Sequence, residues 1–272
     1  MAVPTSPKAS PPAEPEASGN RDVVGAVLKA CTLLGHFGAD RPVWTLNDLT
    51  TASGMNKTTV FRLMATLTQA GWVDRTEEGA YRVAMPVFEI GSAALSKLDI
   101  RSAAKPFMAD LAAAFGNTAY LMVPAEQGAV CIDLVEGRNS LVVAGINIGS
   151  VMPYHAAAGP TVMLAHSKTL RDRWLNTDLA AITERTITDV DRLVEHLDEI
   201  EQAGYSLSNS DYLSGVAAVA APILGRDGSV VASISVGGRA EEFEGDVLTE
   251  KIERVCAAGA RITRIVQALP RG

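Results

Sequence analysis

The chain has 272 residues, 47% of them hydrophobic, with a formal net charge of -7. That length and apolar content suffice for two modest domains, each with its own core. The three cysteines, Cys31, Cys131 and Cys256, are far apart and lack CxxC or Cys/His ligand spacing, which argues against a disulfide framework or a zinc site, and no run is long and apolar enough to span a bilayer.

Residues 1–20 hold Pro4, Pro7, Pro11, Pro12 and Pro15 among Ala, Ser and Glu. This composition buries too little apolar surface to order itself and lacks the apolar core of a signal peptide, so it reads as a disordered tail on a soluble, cytoplasmic protein. The next unit, residues 21–84, opens with a helix whose apolar stripe is Val24, Val27, Leu28, Cys31 and Leu34. On that stripe Cys31 reads as a small core hydrophobe.

Two short helices joined by a glycine turn follow. Thr45, with Asp48 three residues later, resembles a capping box, and Leu46, Leu49 and Ala52 face one side. Gly54 supplies the turn and Asn56 the cap of a second helix, whose buried stripe is Val60, Leu63, Met64 and Leu67. The opposite face carries Lys57, Thr58, Phe61, Arg62 and Ala65, a cation near the helix start with hydroxyl and apolar groups suited to base edges and thymine methyls. With Thr45, Asn56 and Thr59, these form the expected DNA-reading set. Trp72 to Arg75 and Ala80 to Val83, separated by Thr76-Glu-Glu-Gly79, then read as a hairpin wing. Arg75 and Arg82 on it suit phosphate contacts, although Arg82 reads equally well as a solvated surface charge.

Charge divides unevenly. Residues 21–84 hold seven Lys or Arg against six Asp or Glu, whereas residues 85–272 hold sixteen against twenty-three. A near-neutral reading head on an acidic body points to paired heads rather than a broad basic surface.

Residues 85–100 read as a linker helix starting at Pro86, with Val87, Ile90 and Leu95 apolar. Residues 101–270 mix helix and strand. A helix is expected over 102–115, apolar runs over 119–123, 129–135 and 141–146, and a helix over about 156–166. A further helix with the stripe Leu193, Val194, Leu197 and Ile200 stops at Gly204. A hairpin spans 216–224 and 229–236, and an amphipathic helix 248–269. The fold class is α+β, with helices packed on an antiparallel sheet.

From Arg21 onward the chain resembles the IclR family of bacterial transcriptional regulators. The resemblance rests on Asn-Lys-Thr-Thr-Val-Phe-Arg-Leu-Met-Ala-Thr-Leu (56–67), Leu-Asp-Ile-Arg (98–101), Pro-Tyr-His-Ala-Ala-Ala (153–158), Ala-Gly-Tyr (203–205), Gly-Val-Ala-Ala-Val-Ala-Ala-Pro (215–222) and Asp-Gly-Ser-Val-Val-Ala-Ser-Ile-Ser-Val-Gly-Gly (227–238). It implies a winged helix-turn-helix, a linker helix and a GAF-like effector-binding domain, acting on operator DNA as a dimer or dimer of dimers.

It also implies an effector pocket. The loop that follows the Pro-x-His segment falls on Gly159, Pro160 and Thr161, the family's acidic position on Ser208, its cysteine on Ala218, and its two serines on Ser235 and Gly237. Only Ser235 is retained, so the expected effector is less polar or larger than a two-carbon acid, with Asp211 as a nearby carboxylate. The same residues also read as an exposed turn, 208–211, with Ala218 and Gly237 filling space. His155 has no partner at ligand spacing and reads as structural. No cofactor is expected, and no nucleophile elbow, phosphate loop or His-Glu-x-x-His marks an enzyme. The alternatives to effector-modulated DNA binding are a DNA-binding protein whose C-terminal domain only dimerises, and an enzyme on a GAF-like body.

Overall fold

A computed structural model of the chain describes residues 23–38, 41–96, 100–138 and 146–268. The expected tail, and all but Ile146 of the apolar run over 141–146, lie outside these residues. Contacts divide the chain into two compact units, Met1–Lys97 and Leu98–Gly272.

The first unit holds α1 (Gly25–Leu34), β1 (Val43–Trp44), α2 (Leu46–Ser53), α3 (Lys57–Gln69), β2 (Val73–Arg75), β3 (Tyr81–Val83) and α4 (Met85–Ser96). Gly54, at φ 68°, ends α2 in the left-handed conformation that glycine adopts without strain. Leu49, Val60 and Met64 from α2 and α3 close over Leu33, Val73 and Tyr81, and each such side chain taken from water contributes about 1.5–3 kcal/mol. The hairpin is the expected wing, but it has a third strand. β1 pairs antiparallel with β3, placing Trp44 opposite Tyr81.

The expected α1 stripe is corrected. Only Leu33 is buried in that helix, while Val24, Val27, Leu28 and Cys31 are exposed. The helix enters its unit's core through its C-terminal end, where Leu34 and Phe37 pack beside Leu33, and the preceding turns meet no apolar neighbour there.

The second unit holds α5 (Ile100–Phe115), β4 (Thr118–Ala125), β5 (Gly128–Val135), β6 (Val151–Met152), α6 (Ala158–Ala165), α7 (Lys168–Trp174), α8 (Val190–Ala203), β7 (Ser206–Asn209), β8 (Val216–Leu224), β9 (Val230–Arg239) and α9 (Gly245–Ala268). Six antiparallel strands form one sheet in the order β6-β5-β4-β9-β8-β7. Alternation along the strands gives it two buried faces. Tyr120, Met122, Cys131 and Ala220 share a core with Val162 of α6 and Leu193, Leu197 and Ile200 of α8. On the other face, α9 approaches so closely at Gly259 that a Cβ there would lie 3.0 Å from Ala221 Cβ. The sheet is thus a layer between helices, with a cavity at the start of α6.

Candidate DNA interface and effector pocket

The caps of α2 and α3 form as the sequence predicts. Thr45 Oγ1 accepts from Asp48 N at 3.2 Å, and Asn56 Oδ1 accepts from Thr59 N at 2.8 Å. Both acceptors satisfy helix-terminal N–H groups, which anchors α2 and α3 at a fixed angle. On α3, Lys57, Thr58, Phe61, Arg62 and Ala65 are exposed and Thr59 is half-buried. Phe61 is 48% exposed, an unusual place for a phenyl ring with no apolar cover. Lys57 stands against the helix dipole at an N-terminus, so it contributes nothing to holding α3.

The wing arginines differ. Arg82 Nε lies 3.6 Å from Asp74 Oδ2, its cross-strand neighbour, so part of its charge is already answered. The guanidinium of Arg75 sits 5.3 Å from the centroid of the Tyr81 ring. Arg41, which the sequence reading omitted, stacks 3.7 Å over Trp44 and pairs with Asp48 at 2.5 Å. No sequence spacing signals that triad, because Trp44 is placed by long-range pairing with β3.

In the second unit, the first turn of α6 and the sheet enclose a cavity of about 40 Å³. Gly159, Pro160, Ser208, Ala218, Ser235 and Gly237 all line it, brought together from α6, β7, β8 and β9. Register explains the convergence: Ser208 pairs with Ala218 and Ala218 with Gly237, one row across three strands, and Ser235 lies on the same face two residues along β9. Gly159 lets the helix approach the sheet closely there, since a Cβ would come within 3.1 Å of Met122 Sδ and 3.2 Å of Ser233 Oγ.

Two expected residues stand off the wall. Thr161 is turned back into its own helix, with Oγ1 donating to Ala157 O at 2.7 Å. Asp211 lies behind Ser208, accepting from Ser208 Oγ and, at 3.2 Å, from Ala157 N. Ala157 has φ 65° and ψ 147°, a conformation that costs a non-glycine residue on the order of 1–3 kcal/mol and persists only where its surroundings dictate it. The sequence reading missed the apolar wall of Tyr120, Met122, Ile146, Met152, Tyr212 and Leu213. Tyr120 and Met122 could have been found from strand alternation, whereas Tyr212 and Leu213 come from a loop with no such period.

Polar groups elsewhere serve packing. His155 Nε2 lies 3.0 Å from Ala180 O, and Nδ1 accepts from Trp174 Nε1 at 3.3 Å, so both ring nitrogens are engaged, one with the end of α7 and one with the segment after it. Burial pushes the Cys131 thiol up to about 12, which makes it inert as a nucleophile at neutral pH. No group of His, Cys, Asp or Glu suited to a metal ion occurs among the described residues, and no helix among them is long and apolar enough to cross a membrane.

Comparison with known proteins bears on both sites. The family model described as the IclR helix-turn-helix domain matches residues 26–77, and that described as bacterial transcriptional regulator IclR C-terminal matches residues 92–264. The HTH-type transcriptional regulator KipR of Bacillus subtilis is 31% identical over 240 residues, covering 88% of this chain and 95% of that protein. XynR of Escherichia coli, also an HTH-type transcriptional regulator, is 27% identical, covering 89% of this chain and 97% of that one. Among solved structures, an IclR transcriptional regulator from Silicibacter sp. TM1040 superposes with a TM-score of 0.81 at 29% identity, covering 90% of this chain and 98% of that one. An IclR homolog from Microbacterium hydrocarbonoxydans, complexed with 4-hydroxybenzoate, superposes with a TM-score of 0.77 at 20% identity, covering 90% of this chain and all of that one, a likeness of fold.

Proposed function

The chain belongs to the IclR family of bacterial transcriptional regulators, and from that premise we propose that it is a dimeric operator-binding protein whose hold on DNA is set by a small effector in the cavity beside α6. As a member of that family it is a DNA-binding transcriptional regulator and not an enzyme. The observation that carries the effector reading is the cavity itself, where two serines and the start of an uncapped helix meet inside an otherwise apolar wall. Such pockets bind small molecules through a few placed polar groups in apolar surroundings. The complex of the Microbacterium homolog with 4-hydroxybenzoate supports the same reading.

The effector is of modest polarity, and its polar groups meet the two buried serines, Ser208 and Ser235. The cavity's volume of about 40 Å³ limits size. A cavity that takes benzene measures about 150 Å³, so an aromatic effector, or an acid of the size of lactate, requires Met122 or Met152 to move aside.

The test is calorimetry with pyruvate, lactate, benzoate and 4-hydroxybenzoate on the wild type and on Ser235→Leu. Leucine fills the cavity and leaves the ligand's polar end unpaired, so binding falls by ~10-fold or more while operator affinity is kept. A wild-type protein that binds none of these, and whose melting temperature no metabolite raises, has a C-terminal unit that only dimerises.

A further inference from the structure

Ser208 is buried on the cavity wall, and its hydroxyl has a single proton. That proton is donated to Asp211 Oδ1, a carboxylate oxygen that can only accept. What Ser208 offers the cavity is therefore its lone pairs. Asp211 is not free to swing away and release the proton. Its other oxygen accepts from Ala157 N, and its main-chain carbonyl accepts from Thr186 Oγ1 at 2.6 Å. Thr183 Oγ1 donates to Ser210 O at 2.7 Å, and Ser210 N donates to Val216 O at 2.7 Å. Ala157 and Ser210, the two non-glycine residues with positive φ among those described, stand at the two ends of this clasp, as expected where surrounding bonds dictate the backbone.

Ser235, also buried, lines the same cavity from β9.

Resting on the reading of this cavity as the effector site, we infer that Asp211 is its specificity-determining residue. It fixes Ser208 as an acceptor, so the effector presents a hydroxyl or N–H group to Ser208. A carboxylate or carbonyl turned toward β7 would meet the Ser208 lone pairs with the Asp211 charge directly behind them.

Matched probes that exchange a donor for an acceptor test this: lactate against pyruvate, and 4-hydroxybenzoate against 4-fluorobenzoate, titrated by calorimetry. The wild type binds the hydroxyl-bearing member of at least one pair ~10-fold more tightly. In Asp211→Asn, the amide keeps its oxygen on Ala157 N and turns its NH2 to Ser208, which frees the Ser208 proton, so the preference vanishes or inverts. Should that variant melt early, Ser208→Ala leaves Asp211 on Ala157 and still abolishes the preference. Equal affinities within both pairs for the wild type, or a preference unchanged in both variants, overturn the assignment to Asp211 and leave the effector site standing. Binding of none of the four, with no rise in melting temperature from any metabolite, overturns the effector-site reading and this one with it.

Discussion

Arg62 has no task inside its own unit. It is exposed on α3, one position from an exposed phenyl ring, and forms no ion pair among the described residues, whereas Arg41 and Arg82 each face a carboxylate. An arginine fork presented from a recognition helix fits the O6 and N7 acceptors of guanine, so Arg62→Ala is expected to weaken operator binding by ~1–3 kcal/mol while the melting temperature holds. Titration onto operator and onto scrambled DNA separates its roles. Equal loss on both makes Arg62 a phosphate contact, and no loss removes it from the interface. At this scale the sequence was informative wherever chemistry is local, as for the Thr45 and Asn56 caps, whose partners lie three residues away. It failed where a side chain's surroundings come from elsewhere. Cys31 looked like a core residue from helical spacing and is exposed, and Asp211 looked like a ligand contact when its oxygens are taken by Ser208 and by a peptide 54 residues away.

The elements legible in the sequence are the long ones with a clear period. α3, α8 and α9 were visible from their stripes, and β8 and β9 from two apolar runs around a Gly-Arg-Asp-Gly turn, which closes with Gly225 N donating to Ser229 O at 2.8 Å. β1, β6 and β7 were not legible, since strands of two to four residues have no periodicity of their own and exist through partners such as Tyr81, Ala129 and Ala220. The polar helix α7 was missed as well. It is fastened by Arg171, which reaches Ala165 O, Asp198 and Glu201. For α3 the energetics follow from its cap. Asn56→Ala leaves the Thr59 N–H without its acceptor and should cost about 1 kcal/mol of stability in the DNA-reading unit, read as an earlier urea midpoint with an unchanged slope. A midpoint that does not move would mean that water replaces the cap at no cost.

For the molecule as a whole, charge and apolar exposure point the same way. One reading head carries a near-neutral charge balance, so a single recognition helix lacks the contacts for the affinity of ~10⁻⁸ M or better usual for specific regulators. The same unit exposes Val24, Val27 and Leu28 on α1, and Met85, Phe88 and Ile90 on α4, with Met85 67% exposed. Several large apolar side chains exposed on two helices mark surfaces that pair, and a second copy of the chain is the partner that would also supply the second head. Val27→Glu with Leu28→Glu is therefore expected to break the pairing and to lower operator affinity by more than tenfold, although neither residue lies on α3. Footprinting of the wild type should show two half-sites on one face of the duplex, separated by whole helical turns of about 10–10.5 base pairs. Sedimentation at the same concentrations closes the argument. A wild-type monomer protecting one isolated half-site, or a double variant that stays paired and binds as before, would place the subunit contact elsewhere and leave the exposed faces of α1 and α4 without a partner.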